Sequence, residues 1–275
     1  MDQTPYDGRI DSEAAARVIG TEENIEHRKE ARYMDLDQVQ ARIIEVGQLV
    51  KQKLIEKEKE QRIQYGDDIE KRAGLWYKER GYKYIDDVDY HLRRFFQCLD
   101  LLAPRHGGSV FEIGSGNCFF LFMCRELRGC RVAAVDWKRD EDDLTGNKDP
   151  EKKLYRDLKK YAYHLFREYF GLQDVIKHQI VHGNKPIEFG GEYDYIVATR
   201  ATFNRHWREK EYRFWLDDCY RHLRPGGNLM IALNKVEPKS LAALPFLRPL
   251  HPSRENEKIS IISRETIREA IMERC

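Results

Sequence analysis

The sequence lacks long apolar runs and an excess of charge of either sign. Its 275 residues include 48 basic and 47 acidic side chains, a formal net charge of +1. This balance provides no overall electrostatic attraction for nucleic acid, although it leaves room for a local basic patch. No apolar run approaches membrane-spanning length, and residues 1–20 are polar and acidic without an apolar signal segment. We therefore expect neither membrane insertion nor secretion, and a cytoplasmic location.

Paired cysteines are lacking as well. None of the six cysteines forms a C-x-x-C pair; they are Cys98, Cys118, Cys124, Cys130, Cys219 and Cys275. Most lie in apolar surroundings, which favours buried, reduced thiols over zinc ligands or disulfides. The sequence accordingly predicts no metal site.

The most informative stretch is an apolar run that ends in a Gly-x-Gly turn. Residues 109–113 are largely apolar, Gly114 and Gly116 follow, and residues 119–124 are wholly apolar. This succession predicts the first strand, loop and helix of a Rossmann-like unit, and hence an α/β fold. Because glycine has no Cβ, the loop backbone can approach a ligand closely.

Two acidic residues indicate the kind of ligand. Glu112 precedes the first glycine by two positions, where a carboxylate would repel a pyrophosphate but suits a cofactor with an amino group, a sulfonium and a ribose. The third glycine of the dinucleotide fingerprint is missing, since Cys118 and Phe119 stand where it would fall. Asp136 ends a second predicted strand, a position where an acid accepts hydrogen bonds from ribose hydroxyls.

Two motifs resemble those of class I S-adenosylmethionine-dependent methyltransferases. Residues 112–118 are similar to the family's E/D-x-G-x-G-x-G motif, with Cys118 in place of the last glycine. Residues 223–227 are similar to its L-x-P-G-G motif, which precedes a predicted fifth strand over residues 228–233. The resemblance covers residues from about 109 to 234. It implies a Rossmann-like methyltransferase sheet flanked by helices, with S-adenosylmethionine as cofactor and S-adenosylhomocysteine as product.

The family resemblance also implies a set of cofactor contacts. They are Glu112, Gly114, Ser115, Gly116, Asn117, Asp136, Trp137, Asn184 and Thr199. Asn184 follows the predicted third strand, residues 175–181, and its amide can both donate to and accept from an adenine edge.

The loop after the predicted fourth strand, residues 192–199, should face the methyl group, because ligands bind outside the carboxyl ends of parallel strands. His206 is the candidate general base, and Asn204 and Arg200 are candidates for orienting an oxygen-rich or anionic acceptor. The loop lacks the Asn/Asp-Pro-Pro-Tyr/Phe motif of many nitrogen methyltransferases, and the chain shows no Lys-Asp-Lys-Glu set of the ribose 2′-O enzymes. We therefore expect O-methylation of a small-molecule or glycan-like acceptor.

Other functions remain open at this point. An RNA methyltransferase would use Arg200, Arg205, Arg208 and Arg213 as a local phosphate patch. A non-catalytic module that binds an adenosine cofactor is another alternative. A dinucleotide oxidoreductase is disfavoured by Glu112.

Residues 1–106 differ in composition from the rest and are predicted to form a helical extension before a methyltransferase domain over residues 107–275. A long amphipathic helix is expected from about residue 35 to 65, with a mixed-charge, solvated continuation over residues 57–62. Its apolar stripe consists of Val39, Ile43, Val46, Val50 and Leu54. We expect this helix to pack on the core or on a second subunit, as in a homo-oligomer, and to cap the acceptor pocket.

The end of the chain departs from the family pattern, which closes the sheet with an antiparallel hairpin. Only a short apolar run, residues 258–262, and a helix-like segment, residues 264–274, remain for it. We expect little room for these last two strands. The sheet edge would then be covered by the N-terminal extension or a partner, or stay short and charged.

Overall fold

The computed structural model describes residues 33–65, 88–137, 150–179, 185–198, 209–233, 251–252 and 258–272. The secondary-structure elements given below all belong to one compact unit. None of the helices within these ranges is long and apolar enough to cross a membrane.

The described strands form one mixed sheet. In chain order they are β1 (Ser109–Ile113), β2 (Arg131–Trp137), β3 (Ile176–Gln179), β4 (Tyr193–Ala198), β5 (Leu223–Leu233), β6 (His251–Pro252) and β7 (Lys258–Ser263). The seven strands lie in the order β3-β2-β1-β4-β5-β7-β6. The first five are parallel, whereas β7 is antiparallel to β5 and to β6. This arrangement confirms the expected Rossmann-like sheet.

Helices cover both faces of this sheet. They are α1 (Leu36–Tyr65), α2 (Val88–Leu102), α3 (Phe119–Arg128), α4 (Pro150–Tyr169), α5 (Glu209–His222) and α6 (Arg264–Met272), with a 3₁₀ turn at Gln173–Val175. Helices α1 to α4 share one apolar core with Val110 of β1 and Ala134 of β2. Helices α5 and α6 share the other core with Phe111 and Val135. Because side chains alternate along a strand, Glu112 and Asp136 belong to the face covered by α1 to α4.

Helix α1 confirms the predicted amphipathic helix. All five residues of its apolar stripe are buried, from Val39 to Leu54. The stripe packs within the chain's own core, so a homo-oligomer through this helix would have to use another of its faces. The predicted solvated continuation is wrong at Glu58, which is buried. Glu58 lies four residues after Leu54, and therefore on the same side of the helix.

The expectation of little room for a closing hairpin is wrong for β7 but holds for β6. Strand β7 pairs with β5 along six residues, from Asn228 opposite Ser263 to Leu233 opposite Lys258. Strand β6 contributes only two residues to the outer edge. The hairpin fits because one of its strands is very short.

The L-x-P-G-G segment lies inside β5, which begins at Leu223, earlier than the predicted residue 228. The pairing of β5 with β4 is irregular between Tyr193 and Tyr195, opposite this segment. A Cβ atom on Gly227 would come within 2.8 Å of the carbonyl oxygens of Arg224 and Asp194. Only glycine therefore fits where the two strands approach this closely.

Candidate functional site

The glycine loop connects β1 to α3 at the carboxyl edge of the sheet. Gly114 and Gly116 have φ angles of 79° and 51°, which side chains rarely tolerate. The Gly114 N–H donates to the carbonyl of Val135 on the neighbouring strand at 2.7 Å. The Cys118 N–H donates to the carbonyl of Ser115 at 2.8 Å, which closes a tight turn. Both glycines therefore have positive φ angles that residues with a Cβ rarely adopt.

Cys118 occupies the position of the missing glycine and adopts a left-handed conformation, with φ 63° and ψ 15°. It is fully buried. Burial raises the pKa of its thiol to about 12; the Arg167 guanidinium acts in the opposite direction, and Glu112 and Asp136 add to the rise. These charged groups therefore all lie within electrostatic reach of the glycine loop.

The two predicted acidic residues lie on adjacent parallel strands. Glu112 is the penultimate residue of β1 and Asp136 the penultimate residue of β2, and both are buried. Ile113 lies opposite Val135 in the register of these strands, which places Asp136 one residue beyond the end of β1. The two carboxylates thus flank the start of the glycine loop.

Asp136 has a partner that the sequence analysis did not select. Arg167 of α4 donates from Nη2 to Asp136 Oδ2, and its Nη1 lies 2.9 Å from Nε2 of His178. Asp136 and His178 are directly opposite each other on β2 and β3. The sequence offered no distinct signal for this partner, since Arg167 is one basic residue between Phe166 and Phe170.

Tyr163 is a second residue missed by sequence reasoning. A Cβ atom on Gly116 would lie 3.6 Å from Tyr163 Cζ, in ordinary van der Waals contact. The Lys159 Nζ lies 5.5 Å from the centroid of the Tyr163 ring, a cation–π distance. One turn of α4 thus lies beside the glycine loop. The part of α4 that precedes this turn, from Pro150 to Tyr163, is about 20 Å long at 1.5 Å per residue.

Ser115 and Asn117, two further predicted cofactor contacts, are buried in the loop. The Ser115 hydroxyl makes no hydrogen bond to another described residue by distance and angle, although it lies near the Cys118 thiol. A buried hydroxyl in this position is able to bind a ligand group.

The remaining predicted site residues are not described. The side chain of Trp137 is among them, although its backbone ends β2. The others lie outside the described residues: Asn184, Thr199, Arg200, Asn204 and His206. In the described ranges, no group of three or more His, Cys, Asp or Glu side chains could hold a metal ion.

Solved structures similar to part of this chain carry methyltransferase names. TrmN from Thermus thermophilus is 17% identical, with a TM-score of 0.41 over 62% of this chain and 47% of its own length. A methyltransferase from Pyrococcus furiosus is 17% identical, with a TM-score of 0.40 over 62% of this chain and 81% of its own. An RNA methyltransferase from Salinibacter ruber, solved with S-adenosylhomocysteine, is 13% identical, with a TM-score of 0.38 over 62% and 88%.

The chain thus spans about half the length of the Thermus protein. No protein-family model and no curated protein sequence matches it. The class of the fold follows from the strand order and the antiparallel β7. Together they make a Rossmann-like sheet with an antiparallel closing hairpin.

Proposed function

We propose that the protein transfers a methyl group from S-adenosylmethionine to a hydroxyl of a small-molecule or glycan-like acceptor. The observation that carries the proposal is the placement of Glu112 and Asp136 at the carboxyl ends of adjacent strands, on either side of the glycine loop. Ligands bind at this edge of open α/β sheets.

The residues present fit this cofactor better than a dinucleotide. The buried Glu112 carboxylate would repel a pyrophosphate next to the loop, whereas a cationic ligand would be attracted. In our proposal Asp136 accepts hydrogen bonds from the ribose. The Ser115 hydroxyl offers a further polar contact, and Gly116 leaves space that a larger side chain would fill.

When bound, S-adenosylmethionine supplies a methyl group on a positively charged sulfur. Catalysis then requires little beyond placing the acceptor in line with that methyl group. In our proposal His206 accepts the proton that the acceptor hydroxyl loses. Asn204 and Arg200 orient the acceptor. Asn184, Trp137 and Thr199 complete the cofactor contacts.

The packing of α1 against α4 supports a role for α1 in shaping the acceptor pocket. Arg42, near the start of α1, donates a hydrogen bond to the carbonyl of Tyr169 at the end of α4, at 3.3 Å. The helices pack against each other, and Lys57, farther along α1, lies within electrostatic reach of Tyr161, which is earlier in α4, so the two helices run antiparallel. Since α4 passes the glycine loop at Tyr163, α1 lies beside the segment that continues beyond the loop.

Calorimetry with S-adenosylmethionine, S-adenosylhomocysteine and NAD tests the cofactor. We expect micromolar binding of the two sulfur compounds, weakened at least about tenfold by Glu112→Gln and by Asp136→Asn. Asp174→Asn is the matched control, because Asp174 is an exposed acid before β3. Binding of NAD without binding of either sulfur compound would overturn the proposal.

Transfer of labelled methyl groups tests the reaction. We expect His206→Gln to lower kcat by about a hundredfold with unchanged affinity for S-adenosylhomocysteine. If RNA becomes labelled, and its binding weakens steeply as the salt concentration rises, the acceptor is RNA and not a small molecule or glycan. Tight cofactor binding without transfer to any acceptor would instead favour a non-catalytic module.

A further inference from the structure

Gln179, the last residue of β3, holds a segment that follows it in the chain. Its side-chain Nε2 donates a hydrogen bond to the carbonyl of Pro186 at 2.8 Å, and its Oε1 accepts one from the N–H of Glu188 at 2.9 Å. Both ends of the amide are therefore engaged. Because one partner is an acceptor and the other a donor, the amide satisfies both in only one orientation.

A second side chain holds the residue between these two. Asp218 of α5 accepts a hydrogen bond from the N–H of Ile187 at 2.6 Å, and this contact is buried. The side chains of Ile187 and Phe189 belong to the core shared with α5. The ring of Phe189 also packs against Phe111 of β1, with centroids 4.6 Å apart. Residues 186–188 are thus each fixed by a side chain of another element.

The anchored segment lies next to the end of β2. Gln179 is directly opposite Trp137 in the parallel register of β2 and β3, and Trp137 follows Asp136, the predicted ribose contact. Ligands bind at this carboxyl edge of an open α/β sheet. Since the hydrogen bond brings the Pro186 carbonyl to the Gln179 side chain, the connection between these two residues both leaves and returns at this edge.

This connection contains Asn184, the predicted adenine contact, two positions before Pro186. Two trans peptide units span at most about 7.6 Å between Cα atoms. A fixed Pro186 therefore limits where the amide of Asn184 can be placed. Without the anchor, one end of the connection would have to be ordered when the ligand binds, at a cost in conformational entropy.

We propose that Gln179 is a positioning residue, which by holding residues 186–188 sets the position of Asn184 for hydrogen bonding to the adenine of the cofactor. This inference rests on the proposed function. Gln179 acts through Asn184 and does not need to touch the ligand, since both ends of its amide bind the backbone. Its contribution should therefore depend on the adenine edge of the ligand and on the amide of Asn184.

The test compares two ligands by calorimetry: S-adenosylhomocysteine and S-inosylhomocysteine, in which a carbonyl replaces the amino group of adenine and N1 carries a hydrogen. The wild type should bind the inosine compound at least about tenfold more weakly. In Gln179→Leu, which removes both hydrogen bonds, we expect the affinity for S-adenosylhomocysteine to fall about fivefold or more. The affinity for the inosine compound should stay within about twofold of the wild-type value.

Gln179→Glu tests the hydrogen bond without a large change of shape. A carboxylate cannot donate to the Pro186 carbonyl, so this variant should lose affinity for S-adenosylhomocysteine as Gln179→Leu does. Gln38→Leu is the matched control, because the Gln38 side chain also holds a backbone group. It accepts a hydrogen bond from the N–H of Asp35, before α1, at 3.0 Å. This variant should leave both affinities within about twofold of the wild type.

A double-mutant cycle shows whether the effect passes through Asn184. Asn184→Ala should lower the affinity for S-adenosylhomocysteine about tenfold. In that background, adding Gln179→Leu should change the affinity by less than about twofold. An additive loss in the double variant would mean that Gln179 acts independently of Asn184, and would overturn the inference.

The other outcomes separate this inference from the proposed function. Equal loss of affinity for both ligands in Gln179→Leu would show a general defect at this edge and overturn the inference. Unchanged affinity for S-adenosylhomocysteine in Gln179→Leu would overturn it as well. If Gln179→Leu does not fold, the same comparisons in Gln179→Glu decide. A wild-type protein that does not bind S-adenosylhomocysteine would refute the proposed function itself.

Discussion

Asp194 accepts two hydrogen bonds from Ser109, one from the backbone N–H and one from the hydroxyl, each 2.8 Å long. Ser109 begins β1 and Asp194 is the second residue of β4, so the contact joins two central strands at the amino edge of the sheet. Arg105 and Arg224 form ion pairs with the same carboxylate. This cluster stabilises the edge opposite the glycine loop.

Because of the interactions of Asp194, we expect the stability of the fold to depend on pH in the acid range. Burial opposes ionisation, but the Ser109 hydrogen bonds and the two arginines outweigh it and lower the pKa of Asp194 below its ordinary value. A carboxyl group with a lowered folded-state pKa stabilises the fold above its unfolded value, about 3.9, and this contribution is lost as the pH falls through the folded-state pKa.

Asp194→Asn should therefore lower the free energy of unfolding by about 2 kcal/mol at pH 7, and by less as the pH falls below about 4. Urea unfolding between pH 3 and 7 measures the difference. Asp174→Asn, at an exposed acid, should change stability by less than about 0.5 kcal/mol. Parallel pH profiles for the wild type and Asp194→Asn would contradict the prediction.

At position 118 we expect the glycine variant to be more stable than the alanine variant, the reverse of the order expected inside a helix. Its φ angle of 63° lies in the left-handed region, where a Cβ atom costs about 1 kcal/mol. We expect Cys118→Gly to be more stable than Cys118→Ala by about 1 kcal/mol. At Cys124, which is buried inside α3, the order should be the usual one, with alanine more stable by about 1 kcal/mol. Thermal unfolding of the four variants checks both orders.

The substitution Gly116→Ala should weaken ligand binding, and a clash with Tyr163 would not be the reason. An added Cβ would lie 3.6 Å from the Tyr163 ring, an ordinary contact distance. Gly116→Ala should therefore act in two other ways: alanine is strained at this positive φ angle, and its Cβ occupies space through which a ligand would approach the loop backbone. We expect about a tenfold loss of affinity for S-adenosylhomocysteine. Gly191→Ala, with nothing within 4 Å, is the control. Unchanged affinity in Gly116→Ala would mean that the ligand does not approach this backbone.

The buried cysteines predict low thiol reactivity. Burial raises the pKa of Cys118 to about 12 and that of Cys130 to about 11, and those of Cys124 and Cys219 rise well above the ordinary value. At pH 8 only about one Cys118 thiol in ten thousand is a thiolate.

In a Cys275→Ser background, a thiol reagent such as Ellman's should thus modify the folded protein slowly, at a rate that urea increases strongly. All five remaining thiols should react once the chain is unfolded. Rapid reaction of one equivalent in the folded protein would show that one of these cysteines is accessible.

Local sequence patterns were sufficient for the elements near the glycine loop. The apolar run of β1, the left-handed glycines and the apolar start of α3 are adjacent in the chain, so neighbouring residues determine their conformation. The stripe from Val39 to Leu54 likewise predicts α1 by its spacing alone. Glu112 and Asp136 could be selected because each ends a recognisable strand. The predicted catalytic residues, His206, Asn204 and Arg200, remain predictions.

The tertiary structure decided the contacts between distant segments. Arg167 is 31 positions from Asp136, and nothing in the local pattern of α4 indicates which acid it meets. The same applies to Tyr163 beside Gly116, to buried Glu58 and to the pairing of β7 with β5. Periodicity determines which side of a helix or strand is apolar, whereas the partner of a polar side chain depends on how the packed elements are placed in space.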